Sequence, residues 1–149
     1  VAEVRKRRGR IQLRLNTEER AALGMIVEQL SPQAGKVRRT VPVAYEDAEL
    51  QAEYDRWVRP EIERGRGEDL EVIRGCLGSG EDVTSLSDDQ ALAWVRGLNL
   101  LRLTAGGLLG VEEDGWEQRA EESVRRSTEF RVLLALGLLQ EELVSVLEG

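Results

Sequence analysis

The sequence predicts a mainly α domain: a compact orthogonal or bundle-like helical body behind a short N-terminal β-hairpin. Three observations predict it. Apolar residues recur at helical spacing through most of the chain beyond Thr17. Two capping boxes, Asn16 with Glu19 and Ser87 with Gln90, mark helix starts. Before them, Ile11, Leu13 and Leu15 alternate with Gln12, Arg14 and Asn16, the period of two that belongs to a half-buried strand. A chain of 149 residues buries roughly two-thirds of its extended surface. One domain over residues 1–149 is therefore expected, with a basic arm at 1–15 and a helical body at 17–147.

The elements follow in order. A single strand at Ile11–Leu15 leaves its backbone groups unpaired, so it needs Ala2–Arg5 folded back across a turn through Arg7, Arg8 and Gly9, or the same strand from a second subunit. Gly9 accepts the positive φ of such a turn. Folding back turns Ile11, Leu13 and Leu15 toward the helices and leaves Arg10 and Arg14 facing solvent or the acidic body. Asn16 then caps a first helix, Thr17–Leu30, with Leu23, Ile26, Val27 and Leu30 on one face and Ser31–Pro32 ending it. Residues 33–44 hold Gly35, Lys36, Arg38, Arg39 and Pro42 and form a loop.

Helical spacing resumes at Asp47 with Leu50, Tyr54, Trp57, Val58 and Ile62, and Pro60 must start a new helix or kink the old one. Leu70, Val72, Ile73, Cys76 and Leu77 extend an apolar face to the break at Gly78 and Gly80. From Ser87 to Leu109 a helix of about 35 Å, at roughly 1.5 Å per residue, is long enough to cross a small domain as its central member. Trp94 and Leu98 should be buried there against the first and last helices, and Gly110 is its natural C-cap. The final segment, Trp116–Leu147, is helical with a break or bend near Ser127 or Gly137, and it carries the most apolar face of the chain.

Chemistry is sparse. There is no histidine, which removes the commonest neutral-pH general base and transition-metal ligand. The one cysteine, Cys76, has no histidine partner and lies beside Leu77 on an apolar face, so it belongs to the core. Gly78 and Gly80 fit no phosphate-binding loop, and Gly106, Gly107 and Gly110 suit a helix end. Glu112, Glu113 and Asp114, continued by Glu117, Glu121 and Glu122, are the charges a helix start attracts. No catalytic residue, metal site or cofactor is expected. No apolar run approaches the roughly 18 residues of a membrane span, and no secretory signal follows the basic start, so the expected compartment is the cytoplasm.

Charge asymmetry is the strongest functional sign. The first fourteen residues set Arg5, Lys6, Arg7, Arg8, Arg10 and Arg14 against Glu3, five net positive charges on a chain of net charge −7, which leaves −12 elsewhere. The binding candidates are Arg5, Lys6, Arg7, Arg8 and Arg10, joined by Lys36, Arg38 and Arg39 if that loop lies alongside. No aromatic residue interleaves the cations, so the stacking pattern of single-strand binders is missing, and Thr17–Leu30 bears only Arg20 as a cation. A non-enzymatic interaction module is the leading expectation, with a protein partner or a homodimer. Nucleic-acid binding through the arm comes second, and a carboxylate or divalent-metal enzyme third.

Several short segments carry a resemblance: Gly9–Leu15 with Glu18, Glu19, Leu23 and Glu28–Leu30; Tyr45–Tyr54; Ala93–Trp94 to Arg102–Leu103, ending in Leu109–Val111; and Leu139–Val144. Through them the chain resembles the actinobacterial family catalogued as domain of unknown function two-zero-one-seven over nearly its whole length. The resemblance implies a small cytoplasmic protein, often encoded beside the Clp-protease adaptor. It implies no activity, ligand or functional residue to carry over.

Overall fold

The computed structural model describes residues 2–36, 40, 43–108 and 128–149. Two strands open it, β1 (Glu3–Arg7) and β2 (Arg10–Arg14), paired antiparallel with Arg7 opposite Arg10 and Glu3 opposite Arg14. The hairpin is longer and its turn tighter than the sequence suggests. Arg7 stays in the strand, and the two linking residues, Arg8 (φ 53°) and Gly9 (φ 76°), both take the left-handed conformation of a type I′ connection. Ile11, Leu13 and Leu15 are buried, as the alternation requires.

A third strand, β3 (Val83–Leu86), was not legible in the sequence. It pairs antiparallel with the other side of β2, giving the order β1-β2-β3. An isolated two-stranded ribbon is marginal in water. Here β3 supplies the missing support from within the chain, and the Leu15 N–H extends the ladder by donating to the Asp82 carbonyl at 2.8 Å.

Helix α1 (Thr17–Leu30) starts on the reciprocal Asn16–Glu19 capping box and passes into a single 3₁₀ turn at Ser31–Gln33. Helix α2 (Ala48–Trp57) is capped by Asp47, and α3 (Arg59–Gly78) begins with Pro60 in its first turn, so the proline starts a new helix. Helix α2 buries none of its residues: Leu50 and Trp57, with Val58 just after the helix, are exposed despite their helical spacing. Helix α4 (Asp88–Leu108) follows the Ser87–Gln90 box. Helix α5 (Thr128–Glu148) runs unbroken through Gly137, one of the two places where the sequence suggested a break or bend; the other, Ser127, lies outside the described residues. The Gly110 cap, the acidic Glu112–Asp114 link and the Trp116 end of the last segment lie outside the described residues.

Helix α4 is central. Trp94 and Leu98 are fully buried, and α4 packs most extensively on α5, then on α3, then on α1 and the sheet. The prominence of α3 has two local causes. Gly97 allows so close an approach that a Cβ there would sit 2.6 Å from Ile73 Cδ1. Beside it Arg96 grips Asp69 through two hydrogen bonds of 2.9 and 3.0 Å, and these hold the guanidinium above its ordinary pKa. Arg74 similarly ties α3 to α1, bonding Glu71 in its own helix and Glu28 and Ser31 across the gap. The Glu71 hydrogen bond, then Glu28, raises its pKa. Cys76 sits half-buried with its Sγ accepting from Trp94 Nε1 at 3.5 Å, a packing role as expected.

Candidate functional site

Strand register decides which cations share a surface. Residues directly opposite one another in a sheet point to the same face, and side chains alternate along each strand. Ile11, Leu13 and Leu86 point inward, so Glu3, Arg5 and Arg7 of β1, Arg10, Gln12 and Arg14 of β2, and Val83 and Ser85 of β3 form the outer face. Four guanidinium groups and one carboxylate thus share a surface three strands wide. A recess of about 110 Å³ lies on it, lined by Glu3, Arg5, Arg7, Gln12, Arg14 and Val83. It is large enough to admit a carboxylate or phosphate group.

The arginines are held to different degrees. Arg10 is fixed across the sheet, its Nε donating to Ser85 Oγ at 2.7 Å and its Nη2 to the Ser85 carbonyl at 3.4 Å. Glu3 lies between Arg5 (3.7 Å) and Arg14 (3.9 Å), long contacts between largely exposed groups. Arg7 has no carboxylate within 4.0 Å among the described residues, and it faces Arg10 directly across the ladder. Like charges in that position repel. At the tip, Arg8 occupies a left-handed site that asparagine or glycine would fill at lower cost.

The candidates separate accordingly. Arg5, Arg7 and Arg10 come together on the outer face. Arg14 joins them, although sequence reasoning left it out of the binding group; its signal was the alternation Arg10-Gln12-Arg14. Lys6 belongs to the opposite face of β1 yet is exposed there, and Arg8 is at the turn. Lys36 is not on the sheet: it follows the 3₁₀ turn after α1, its N–H donating to the Gln33 carbonyl at 3.0 Å. Arg38 and Arg39 lie outside the described residues. Arg20 is committed to Asp82 at 2.9 Å, a bridge from α1 to the approach of β3.

Among the described residues no group of three or more cysteine, aspartate or glutamate side chains converges as a metal site would require, and no helix is long and apolar enough to cross a membrane. A second recess between α4 and α5, about 380 Å³, has Arg102, Gln140, Glu141 and Glu148 in its lining. Its charges are mixed and no acid and base are paired in it.

No curated protein and no solved structure matches the chain. A family model, described as "Domain of unknown function (DUF2017)", matches residues 1–147. The chain that carries this arginine-faced sheet on a helical body belongs to that family.

Proposed function

We propose that the chain is a non-enzymatic interaction module that captures an acidic protein partner on the outer face of its sheet. One observation carries the reading: Arg5, Arg7, Arg10 and Arg14 are aligned on a single exposed face by the register of β1, β2 and β3. Guanidinium groups recognise carboxylates through paired hydrogen bonds, and a planar array of them discriminates by geometry as well as by charge. Arg7, with no carboxylate within 4.0 Å among the described residues, and the left-handed Arg8 support the reading, because each keeps a cation where folding alone favours another residue.

An acidic protein is favoured over nucleic acid. The chain as a whole carries −7, so a long polyanion that reaches beyond the sheet meets a repulsive body, whereas a local acidic segment does not. The face also offers no aromatic side chain for base stacking. An accessory role in regulated proteolysis, in the cytoplasm, is the setting that the family resemblance implies. A separate protein is the partner we favour over a second copy.

Fluorescence anisotropy tests this, with a labelled oligoglutamate peptide and a short DNA duplex compared at about 50 and 200 mM salt. The peptide should bind, and Arg5→Glu with Arg7→Glu should abolish its binding while leaving the unfolding transition in place. Tighter binding of the duplex than of the peptide transfers the function to nucleic acid. Binding of neither removes the proposal.

A further inference from the structure

Strand β1 forms one edge of the three-stranded sheet. In an antiparallel ladder alternate residues of a strand bond to alternate sides. Leu15 bonds toward β3 through Asp82, so by alternation Ile11 and Leu13 do as well, and Arg10, Gln12 and Arg14 bond toward β1. Their partners Arg7, Arg5 and Glu3 therefore spend their backbone groups on β2. Val4 and Lys6 direct their N–H and C=O groups away from it, and β1 is the edge of the sheet, with no hydrogen bond to those groups among the described residues.

We propose that an extended acidic segment of a partner protein adds antiparallel to β1 as a fourth strand. This rests on the proposed capture of an acidic partner and specifies its form. The segment bonds through its backbone to Val4 and Lys6 and carries acidic residues at every second position. Those positions lie on the outer face beside Arg5 and Arg7. The residues between them form the backbone bonds and lie on the inner face beside half-buried Val4, so β-branched apolar side chains suit them.

Charge complementarity selects this occupant over another copy of the chain. Pairing β1 with a second β1 would bring Arg5, Lys6 and Arg7 of both copies together. Protection of an edge from aggregation is the blander account of cations on β1. It does not explain Arg10 and Arg14, which lie on the central strand and guard no edge.

The test uses the full chain and a peptide of about eight residues alternating glutamate and valine, longer than β1 so that register can adjust. A second peptide carries N-methyl groups on the valines, whose amides are the ones that face Val4 and Lys6. Wild-type protein should bind the plain peptide about tenfold more tightly than the methylated one. Lys6→Pro should weaken binding of the plain peptide by about the same factor relative to Lys6→Ala. The proline removes an outward N–H and leaves the β1–β2 ladder whole.

Equal binding of the two peptides by wild-type protein overturns strand addition and leaves acidic capture standing. Binding of neither peptide overturns both. If Lys6→Pro fails to fold, the methylated peptide alone decides.

Discussion

Replacing Gly97 with alanine should destabilise the protein, and the cause should be one methyl group on the neighbouring helix. An ideal Cβ at Gly97 lies 2.6 Å from Ile73 Cδ1, well inside carbon–carbon contact distance. Ile73 is fully buried, so its terminal methyl must shift within the core rather than into solvent. Overpacking of this kind costs about 1–3 kcal/mol, against about 0.8–1.0 kcal/mol returned by alanine over glycine inside a helix. Gly97→Ala should therefore lose roughly 0–2 kcal/mol. Ile73→Val alone removes the δ-methyl and should cost about 0.5–1.5 kcal/mol.

In the double variant the new methyl occupies the vacated volume and the propensity gain remains, which brings stability back to about that of the wild type. The coupling between the two sites is then about 1–3 kcal/mol, equal to the overpacking relieved. Urea unfolding of the four proteins at one temperature measures it. Additivity of the two single changes within about 0.5 kcal/mol would refute the close packing of α3 on α4.

Leu98→Ala should cost about 2–5 kcal/mol, because Leu98 is fully buried in the central helix, and a loss below about 1 kcal/mol in the same assay would displace α4 from the centre. Hydrogen bonding to Asp69 raises the Arg96 pKa, so the stability it adds is fully present below the ordinary arginine range and lost only as pH climbs through the raised value. The gap in urea midpoint between wild type and Arg96→Gln should thus be the same at about pH 7 and about pH 10, and a gap that closes between them contradicts the assignment. Glu3→Gln removes the one carboxylate on the outer face and should tighten acidic-peptide binding about two- to fivefold, with unfolding unchanged; weaker binding would show that Glu3 helps form the site. In hydrogen exchange, Arg5, Arg7, Ile11, Leu13 and Leu15 amides should be protected while Val4 and Lys6 exchange fast, and random-coil rates throughout residues 2–15 would eliminate the hairpin.

What the sequence made legible was local. The hairpin followed from three alternating apolar residues and a glycine, and α1 from a capping box with helical spacing behind it; both signals sit within a few residues of the structure they specify. Strand β3 escaped because only Thr84 and Leu86 of its four residues point inward, too few for a period of two to register. Its available signs were the turn at Gly80 (φ 77°) and the β-branched pair Val83–Thr84 just ahead of the Ser87 cap. At Gly137, a glycine in an apolar run, the sequence offered one of two places for a break or bend, the other being Ser127 outside the described residues. Helix α5 continues through it, and a Cβ there would meet only Arg102 Cδ at 3.8 Å, so neither turn nor close approach accounts for the residue. Gly97 shows the contrary case, a glycine whose reason lies on a different helix and is invisible along the chain.

For the candidate site, the run of cations was plain in the sequence but the surface it forms was not. Linear order joins Arg5, Lys6, Arg7 and Arg8, whereas pairing with β2 keeps Arg5 and Arg7, sets Lys6 on the other face and Arg8 at the tip, and adds Arg10 and Arg14 from a strand running the opposite way. This rearrangement changes the physical expectation. Glu3 with the four arginines carries +3, so the rest of the chain carries −10, and that separation orients an approaching acidic surface toward the sheet before contact. The orienting field is screened over about 8 Å at physiological salt. The paired hydrogen bonds of guanidinium to carboxylate act at contact and are screened far less. Added salt should therefore slow association more than it speeds dissociation, which separates a patterned arginine face from a diffuse basic arm whose whole affinity is long-range charge.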